Sequence, residues 1–310
     1  MRVKHMASHQ SLRVAVSGSS GTVGRALCAF LSAEGHEVRR LVRKKDNVES
    51  DCIYWSPAEG VIDHSGLEGI DAVVHLAGEN IGEGRWTKEK RRRIMDSRVL
   101  GTSLLAHAVA ELESPPGVFI SASAVGYYGD RGDEVLTEES SLGEGFLAEV
   151  CRAWEEAALP AREAGIRTVN TRFGVILEPD SGALERMVLS SKLGLTSRLG
   201  SGEQFMSWVD LEDVVRAIVF VLTHDELEGP INVTSPNPVR NKDFMATVAK
   251  AVNRPALVAA PAFAIKAVMG SQAAEETALV SQRALPARLE EAGFTFLYPE
   301  LKDCLRTRLT

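Results

Sequence analysis

The chain has 310 residues, of which 45% are hydrophobic and 25% are charged, and its formal net charge is −7. A chain of this size can bury one large α/β core together with a smaller lobe. The acidic balance excludes a general nucleic-acid-binding protein, which needs a basic face, and argues against docking on an anionic membrane. No apolar run approaches the ~20 residues that a membrane-spanning helix requires. We therefore expect neither a nucleic-acid nor a membrane partner.

The four cysteines, at positions 28, 52, 151 and 304, are not spaced as metal ligands or as a disulfide framework. We expect reduced thiols, which are typical of a cytoplasmic protein, and no metal site. Residues 1–10 contain His5-Met6-Ala7-Ser8 and have charge without a following apolar segment, so we interpret them as a tag outside the fold.

Short segments rich in β-branched residues alternate with longer helical patterns over the first 180 residues. This alternation is typical of βαβ units, so we predict a Rossmann-type, doubly wound parallel sheet with helices on both faces. Right-handed crossovers would place the first strand in mid-sheet, where the strand order reverses. Strands are predicted at 12–17, 37–42, 71–76, 118–121 and 168–177, and helices at 21–34, 87–112 and 145–165.

The pattern changes after residue 180. Glycines cluster between 194 and 202, a helix at 210–222 and a strand at 231–234 follow, and residues 240–310 are mostly helical with prolines between the helices. We assign residues 11–180 to a dinucleotide-binding domain, to which residues 203–235 partly return. Residues 181–310 are assigned to a smaller, mostly helical C-terminal substrate lobe.

The turn after the first strand reads Gly18-Ser19-Ser20-Gly21-Thr22-Val23-Gly24. A strand before such a motif and a helix starting inside it predict a dinucleotide site. Gly18 permits the tight turn, Gly21 lets the backbone approach the pyrophosphate, and Gly24 allows close packing of helix on sheet. The helix N-terminus offers N–H groups and partial positive charge to the phosphates. An ordinary strand–turn–helix with glycines for turn geometry is the alternative.

The end of the second strand distinguishes NAD from NADP. NAD sites usually place an acidic residue there, about 20 residues past the loop, to bind the ribose 2′-hydroxyl. This sequence reads Val38-Arg39-Arg40-Leu41-Val42-Arg43-Lys44-Lys45, with no acid before Asp46. Arg43 and Lys44 favour a 2′-phosphate by their charge and, for arginine, by its planar fork of donors. We therefore predict NADP(H) as the cofactor.

Several stretches carry a resemblance to a known superfamily. Val14 to Gly24, Val74 to Gly78 and Ile120 to Gly129 look like extended short-chain dehydrogenase/reductases. Within them the chain is similar to atypical NAD(P)-dependent epimerase/dehydratase-like proteins, also described as sugar-nucleotide epimerase-like, with a C-terminal domain of unknown function. The resemblance covers residues 12–306, and these further stretches carry it: Gly78 to Ile81, Gly84 to Thr87, Asp96-Ser97-Arg98, Trp154-Glu155, Gln204 to Val209, Arg254 to Ala256, Leu285-Pro286 and Gly293-Phe294.

The resemblance implies places for several side chains near the cofactor. Leu76, Ala77 and Gly78 would lie against the adenosine side of the cofactor. Ser121 and Ser123 would bring hydroxyls toward the nicotinamide. Ser123 is the better match to the serine or threonine that orients the substrate in active members.

The chain departs from the superfamily at its catalytic pair. Active members carry Tyr-x-x-x-Lys on the helix after this strand, where the tyrosine is the general acid/base and the lysine lowers its pKa and holds the nicotinamide ribose. The equivalent residues 143–155 contain no such pair. Alignment on Phe146 puts Val150 at the lysine position, and alignment on Leu147 puts Cys151 there. General acid–base help is worth about 10²–10⁴-fold in rate, so the standard mechanism is not available.

Other residues near these strand ends are candidates for the chemistry. Tyr127 and Tyr128 follow the same strand, and either could serve as a phenolic acid or could pack in the loop. Open α/β sheets bind ligands at the carboxyl ends of their strands, although exposed helix-start charges and core packing are alternatives for residues found there. We expect the following residues on the substrate side: Glu79, Arg85, Arg172, Gln204 and Trp208.

Two functions remain open. An intact cofactor loop with a complete substrate lobe favours an enzyme, namely an NADP-dependent oxidoreductase or epimerase acting on a small or nucleotide-linked substrate. The missing tyrosine–lysine pair favours a catalytically silent protein that senses NADPH. By analogy with related folds, the helices at 87–112 and 145–165 suggest a homodimer.

Overall fold

The structure is a computed structural model that describes residues 11–44, 51–194, 198–255 and 259–309, so residues 1–10 and their interpretation as a tag lie outside it. The strands are β1 (Arg13–Ser17), β2 (Glu37–Val42), β3 (Cys52–Ser56), β4 (Val61–Ile62), β5 (Ala72–His75), β6 (Val118–Ala124), β7 (Val135–Leu136), β8 (Arg167–Phe173), β9 (Val175–Leu177), β10 (Arg198–Leu199), β11 (Phe205–Met206), β12 (Trp208–Asp210), β13 (Gly229–Val233), β14 (Val239–Arg240), β15 (Ala259–Ala260) and β16 (Arg283–Ala284).

In the described residues, helices surround these strands. They are α1 (Thr22–Ala33), α2 (His64–Leu67), α3 (Lys88–Ala110), α4 (Phe146–Glu156), α5 (Leu159–Glu163), α6 (Gly182–Lys192), α7 (Leu211–Thr223), α8 (Asn241–Ala251), α9 (Ala262–Met269), α10 (Ser271–Ala273), α11 (Ala287–Glu291) and α12 (Leu301–Leu309). A short 3-10 turn (Val125–Tyr128) follows β6, and a π-helical turn (Ala274–Ala278) follows α10.

The large sheet has eight strands in the order β13-β8-β6-β5-β1-β2-β3-β4. Its neighbouring strands are parallel, except for the antiparallel pair of β3 and β4. The first strand lies between β5 and β2, which confirms the predicted position in mid-sheet. Because parallel strands carry their carboxyl ends to one edge, the ends of β1, β2, β5 and β6 meet there.

Helices cover both faces of the sheet, as predicted. On one face α1 and α7 pack against β1, where Leu27 and Ile218 join a cluster with Val14 and Val16. On the other face Leu105 of α3 joins a second cluster around the central strands. β1 is buried on both faces, which explains its continuous run of small and β-branched apolar residues.

Two predicted elements are divided in the structure. The helix predicted at 145–165 is α4 followed by α5, with Pro160 in the first turn of α5, because proline is tolerated there but not inside a continuous helix. The strand predicted at 168–177 is divided at Gly174 into β8 and β9. β9 leaves the large sheet and pairs with β12. Strand β3 was not predicted from the sequence.

The C-terminal helix α12 and the residues just before it are tied to the start of α7. Asp210 caps this helix by accepting from the Glu212 N–H, and it binds Arg308 of α12 through bonds of 2.8 and 2.6 Å. Asp213 accepts from the backbone N–H groups of Leu297 and Tyr298. Both carboxylates are fully buried. Asp213 also pairs with Arg216 of its own helix at 3.0 Å, and the C-terminal segment supplies the further partners described above.

Within the described ranges, none of the helices combines the length and the apolar character needed to cross a bilayer.

The Arg308–Asp210 pair gives a direct test of this connection. We expect Arg308→Ala to lower the free energy of unfolding by about 3 kcal/mol, because it leaves the Asp210 carboxylate buried without its cation. Arg306→Ala on the same helix alters an exposed pair with Asp303 and should cost at most about 1 kcal/mol. Urea denaturation of both variants measures the difference, and equal losses would contradict this account of how the lobe is held.

Candidate functional site

The glycine turn brings β1, β5 and α1 into backbone contact. Gly18 has φ +68°, and a Cβ there would lie 2.8 Å from the carbonyl carbon of Leu76. A Cβ on Gly24 would lie 2.2 Å from the carbonyl oxygen of Gly18. No side chain fits at either position without moving backbone, so the sequence motif corresponds to a real steric requirement.

The start of α1 is built to receive an anion. Its N-cap is Gly21, whose own N–H donates to Gly18 at 2.9 Å, and no side chain caps the helix. The remaining first-turn N–H groups and the helix dipole therefore point out of the turn. Thr22 contacts Ser181, just before α6, through their hydroxyls at 3.0 Å. This arrangement fits the pyrophosphate of a dinucleotide.

Two cations lie at the end of β2. In the register of β1 and β2, Val16 is opposite Arg40, so the end of β2 comes level with Gly18. Arg43 and Lys44 follow immediately and are exposed, and neither forms an ion pair with another residue in the described part of the chain. They therefore offer positive charge on the same edge of the sheet as the glycine turn.

A buried hydrogen-bond group fixes the end of β5. The Ser17 Oγ lies 2.6 Å from Nδ1 of His75 and accepts from the N–H groups of Leu76 and Ala77. Burial lowers the pKa of His75 to about 3, so its ring is neutral at ordinary pH. Its Nε2 has no hydrogen-bond partner among the described residues. These contacts give His75 a structural role and place residues 76–78 beside the glycine turn.

The loop after β5 is held by α3. The N–H of Glu79 donates to Ser97 Oγ, and its carbonyl accepts from Arg98. The Glu79 carboxylate pairs with Lys90 at 2.8 Å and with Arg93 at 3.4 Å, and the hydrogen bond from Lys90 is the main cause of its lowered pKa. Glu79 therefore faces α3 in this structure.

Arg85, in the same loop, reaches the C-terminal lobe. It is exposed and donates to the carbonyl oxygen of Ala267 in α9. The neighbouring Trp86 ring meets Phe146 of α4 edge-on, with 5.5 Å between the centroids. The loop thus bridges the main domain and the lobe, beside the N-terminus of α4.

A polar network lies under the ends of β6 and β8. Glu155 of α4 accepts from Arg172 through two bonds of 2.7 and 2.8 Å and from Ser123 Oγ at 2.7 Å. Arg172 also donates to the Tyr128 hydroxyl at 3.1 Å, and this hydroxyl donates to Asn232 at 2.7 Å. Each group in the chain of contacts therefore has a partner inside the protein.

Burial and charge set the protonation of this network. Burial raises the pKa of Tyr128 to about 12, so its phenol stays protonated. Burial opposes the charge of Arg172, but the hydrogen bonds and the negative charge of Glu155 outweigh it and raise the pKa of Arg172. The network thus consists of the neutral phenol of Tyr128 and the buried ion pair of Arg172 and Glu155, whose charges compensate each other.

The structure corrects several sequence predictions. Tyr128 is fully buried and Ser123 is 2% exposed, so neither presents its hydroxyl to a ligand as expected. Arg172 is bound to Glu155 and does not line the substrate side itself. The following predicted residues are buried and bonded to backbone carbonyls of the protein instead: Ser121 to Ala122, Gln204 to Leu199 and Ala278, and Trp208 to Asn237.

Tyr127 differs from its neighbour. It is partly exposed, and the Arg172 guanidinium carbon lies 3.5 Å from its ring centroid. Its ring meets that of Tyr128 edge-on at 5.5 Å. Its hydroxyl makes no hydrogen bond with another residue in the ranges that the structure describes, so it remains available to a ligand.

One face of α4 packs against the 3-10 turn that follows β6. A Cβ on Gly126, in the 3-10 turn, would lie 3.4 Å from Leu147 Cβ and 3.6 Å from Cys151 Sγ. Leu147 and Cys151 therefore both face this turn, one helical turn apart on α4. Burial raises the pKa of Cys151 to about 11, so its thiol is not an activated nucleophile.

Glu155 is the residue of the polar network that sequence reasoning did not assign. It follows Cys151 by four residues and so lies on the same face of α4. An acidic residue on the inner, apolar face of a helix is a signal that could have identified it. Its partner Arg172 was singled out, but no sequence pattern specified their contact.

The spacing Tyr-x-x-x-Lys does occur once, at Tyr298 and Lys302. Lys302 lies in the first turn of α12 and Tyr298 three residues before this helix, where the tyrosine packs against an apolar cluster and under Arg308. The pair belongs to the lobe that fastens to α7, not to the edge of the sheet formed by β1, β5 and β6.

The protonation of His75 predicts a pH dependence of stability. An unfolded histidine takes up a proton below about pH 6.5, whereas folded His75 does so only near pH 3. The resulting stability is complete above pH 6.5 and is lost as the pH falls, at up to about 1.4 kcal/mol per pH unit. His75→Gln should therefore show a shallower fall of unfolding free energy between about pH 7 and pH 5. The exposed His64→Gln is the control, and equal slopes for wild type and His75→Gln would rule out a neutral buried His75.

Comparisons with known proteins agree with this architecture. A family model for the NAD dependent epimerase/dehydratase family matches residues 14–234, and one for a domain of unknown function, DUF1731, matches residues 260–307. Epimerase family protein ML0860 of Mycobacterium leprae is 43% identical over 292 residues, which are 94% of each chain. The chloroplastic epimerase family protein SDR39U1 homolog of Arabidopsis thaliana is 38% identical over 302 residues, covering 95% of this chain and 86% of the relative.

Two solved structures have the same fold as this chain. The human epimerase family protein SDR39U1 (isoform 2), solved with NADPH, matches with a TM-score of 0.87 and 31% identity over 96% of this chain and 99% of that one. The nucleoside-diphosphate sugar epimerase of Corynebacterium glutamicum matches with a TM-score of 0.80 and 40% identity, over 97% of this chain but 58% of that one. The chain belongs to the NAD dependent epimerase/dehydratase family.

Proposed function

We propose that the chain is an NADP(H)-dependent oxidoreductase or epimerase that acts on a small or nucleotide-linked substrate. The observation that carries the cofactor choice is the pair of exposed cations, Arg43 and Lys44, level with the uncapped start of α1. The human relative solved with NADPH supports the same choice. The described residues that follow β2, Arg43 and Lys44, are both basic, so neither is the acidic partner that an NAD 2′-hydroxyl usually has.

In this proposal the adenosine half and the nicotinamide half of the cofactor lie at the ends of neighbouring strands. The first turn of α1 would hold the pyrophosphate, and Arg43 and Lys44 would hold the 2′-phosphate. Leu76, Ala77 and Gly78 would contact the adenosine side, because Ser17 fixes them next to Gly18. The nicotinamide end would then lie toward the end of β6 and the 3-10 turn.

Tyr127 is the residue that we propose as the proton donor. NADPH, when bound, supplies a hydride, and the oxygen of a carbonyl that receives hydride on its carbon needs a proton. The Tyr127 hydroxyl is available, whereas that of Tyr128 is committed to Asn232. The buried Arg172 stacks against the Tyr127 ring and fixes its orientation.

A silent NADPH sensor is the second candidate. The observation that favours it is that Ser123, Tyr128, Arg172 and Glu155 bond to one another and leave no free acid/base pair inside the network. The two functions differ in whether deuteride passes from labelled NADPH to a carbonyl substrate.

We also propose a cytoplasmic location, since all four cysteines are free thiols. The homodimer stays a prediction.

The cofactor choice is tested by Arg43→Ala. Removing a charge-assisted hydrogen bond to the 2′-phosphate should weaken NADPH binding about 10–100-fold and leave NADH binding nearly unchanged. Fluorescence titration with each nucleotide measures the two dissociation constants. Arg39→Ala, on the same strand and paired with Glu37, is the control. Equal losses for NADPH and NADH in Arg43→Ala would refute the assignment.

The proton donor is tested by Tyr127→Phe. We expect turnover with an identified carbonyl substrate to fall about 10²–10⁴-fold while NADPH affinity stays the same. Tyr128→Phe is the matched variant, and it should lower stability by about 1 kcal/mol through its lost hydrogen bonds, with a smaller effect on turnover. Full turnover in Tyr127→Phe would exclude its phenol as the acid.

A further inference from the structure

Arg98 lies where β5, α3 and α4 meet. One of its terminal nitrogens, Nη1, donates to the carbonyl oxygens of Glu79 and Ile94, each at 3.1 Å. Its guanidinium carbon lies 4.8 Å from the ring centroid of Trp154 in α4. The same guanidinium carbon would lie 3.4 Å from a Cβ on Gly78, so the glycine leaves this side of the group uncovered by a side chain.

The charge of Arg98 is not compensated by a carboxylate. No Asp or Glu lies within ion-pair distance of it in the described part of the chain, and the nearby Glu79 carboxylate is bound by Lys90 and Arg93. Its Nε and Nη2 groups have no hydrogen-bond partner among the same residues. Burial lowers the pKa of the guanidinium, which nevertheless remains charged because arginine titrates above about 12. Arg98 is only partly buried, so its unused N–H groups are open to an oxygen acceptor from outside the chain.

Arg98 is also next to the position of the missing lysine. Cys151 occupies that position on α4, facing the 3-10 turn. The Arg98 guanidinium stacks on Trp154, which follows Cys151 by three residues and therefore neighbours it on the surface of α4. α3 therefore brings a positive charge beside the part of α4 that contains Cys151 and Trp154.

We propose that Arg98 supplies from α3 the cation that α4 lacks, and that its unused N–H groups bind hydroxyl oxygens of the nicotinamide ribose. This inference rests on the proposed NADP(H) site. Arg98 is a cofactor-holding residue in this view, and Ser97 assists by fixing the Glu79 peptide against which Arg98 is braced. The planar guanidinium presents Nε and Nη2 in one plane, a geometry that suits two adjacent hydroxyl oxygens.

Comparing the binding of two nucleotides distinguishes the proposed role of Arg98 from that of the residues that bind the adenosine half. NADPH contains the nicotinamide ribose, whereas 2′,5′-ADP contains the adenosine half with its 2′-phosphate and lacks that ribose. We expect Arg98→Met to weaken NADPH binding about 10–100-fold and to leave 2′,5′-ADP binding within about twofold of wild type. Arg98→Lys should lose less NADPH affinity, because it keeps a charge but not the planar fork.

Arg92→Met is the control for a charge removed from α3, because Arg92 is 79% exposed on this helix and pairs only at 3.7 Å with Asp96. Isothermal titration with NADPH and with 2′,5′-ADP gives the affinities, and thermal denaturation reports the fold. If Arg98→Met does not fold, Arg98→Lys carries the test, with a loss again confined to NADPH.

The outcomes are distinguishable. Unchanged NADPH affinity in folded Arg98→Met, with wild type binding both nucleotides, would overturn the role of Arg98 alone. Equal loss of both nucleotides would also overturn it, because Arg98 would then act on the adenosine half or on the fold. Wild type that binds neither nucleotide would overturn the proposed NADP(H) site and this inference together.

Discussion

Contact between the backbones of Gly18, Gly24 and Leu76 is the constraint on which the cofactor edge depends. Because side chains are excluded there, α1 can start directly against the ends of β1 and β5. That proximity points the uncapped N–H groups of α1 at the edge where β2 and β6 also end. The cationic end of β2, the loop after β5 and the 3-10 turn after β6 are all placed by the same parallel register.

The sequence predicted this edge well, because its determinants are local. Alternating strands and helices, a glycine turn and a basic strand end are each readable within a few residues, and the parallel sheet with β1 in mid-sheet followed from them. The predicted boundaries of helices and strands were wrong where a single residue interrupts a pattern. Pro160 marks the division of one predicted helix, and Gly174 divides one predicted strand. Strand β3 was not predicted because its five residues have no clear alternation between buried and exposed positions.

Side-chain pairing could not be predicted in the same way. Tyr127 and Tyr128 are adjacent in sequence, yet one ring is partly exposed and the other is buried against Asn232, which lies 104 residues away. Whether Arg172 faces a ligand or Glu155 depends on the packing of α4 against β8, and no local pattern encodes it. Gln204 and Trp208 are likewise buried through long-range contacts: Gln204 bonds to the carbonyl oxygens of Leu199 and Ala278, and Trp208 packs in a cluster with residues of β9 and α8.

The polar network changes the meaning of the missing tyrosine–lysine pair. In place of two groups presented from one helix, the chain has a buried ion pair of Glu155 and Arg172, with Tyr127 stacked on its outer side. A buried pair of this kind contributes little net stability by itself, but removing either partner is costly, so it fixes geometry. In the proposed function, the acid/base group would therefore come from the turn after β6 and not from α4, beside the glycine turn that α1 follows.

A crystal structure with NADPH tests the central claim most directly. The account predicts the 2′-phosphate against Arg43 and Lys44, and the Tyr127 hydroxyl facing the nicotinamide while Tyr128 stays bonded to Asn232. A cofactor whose 2′-phosphate lies away from β2, or a nicotinamide that faces only apolar groups, would contradict it.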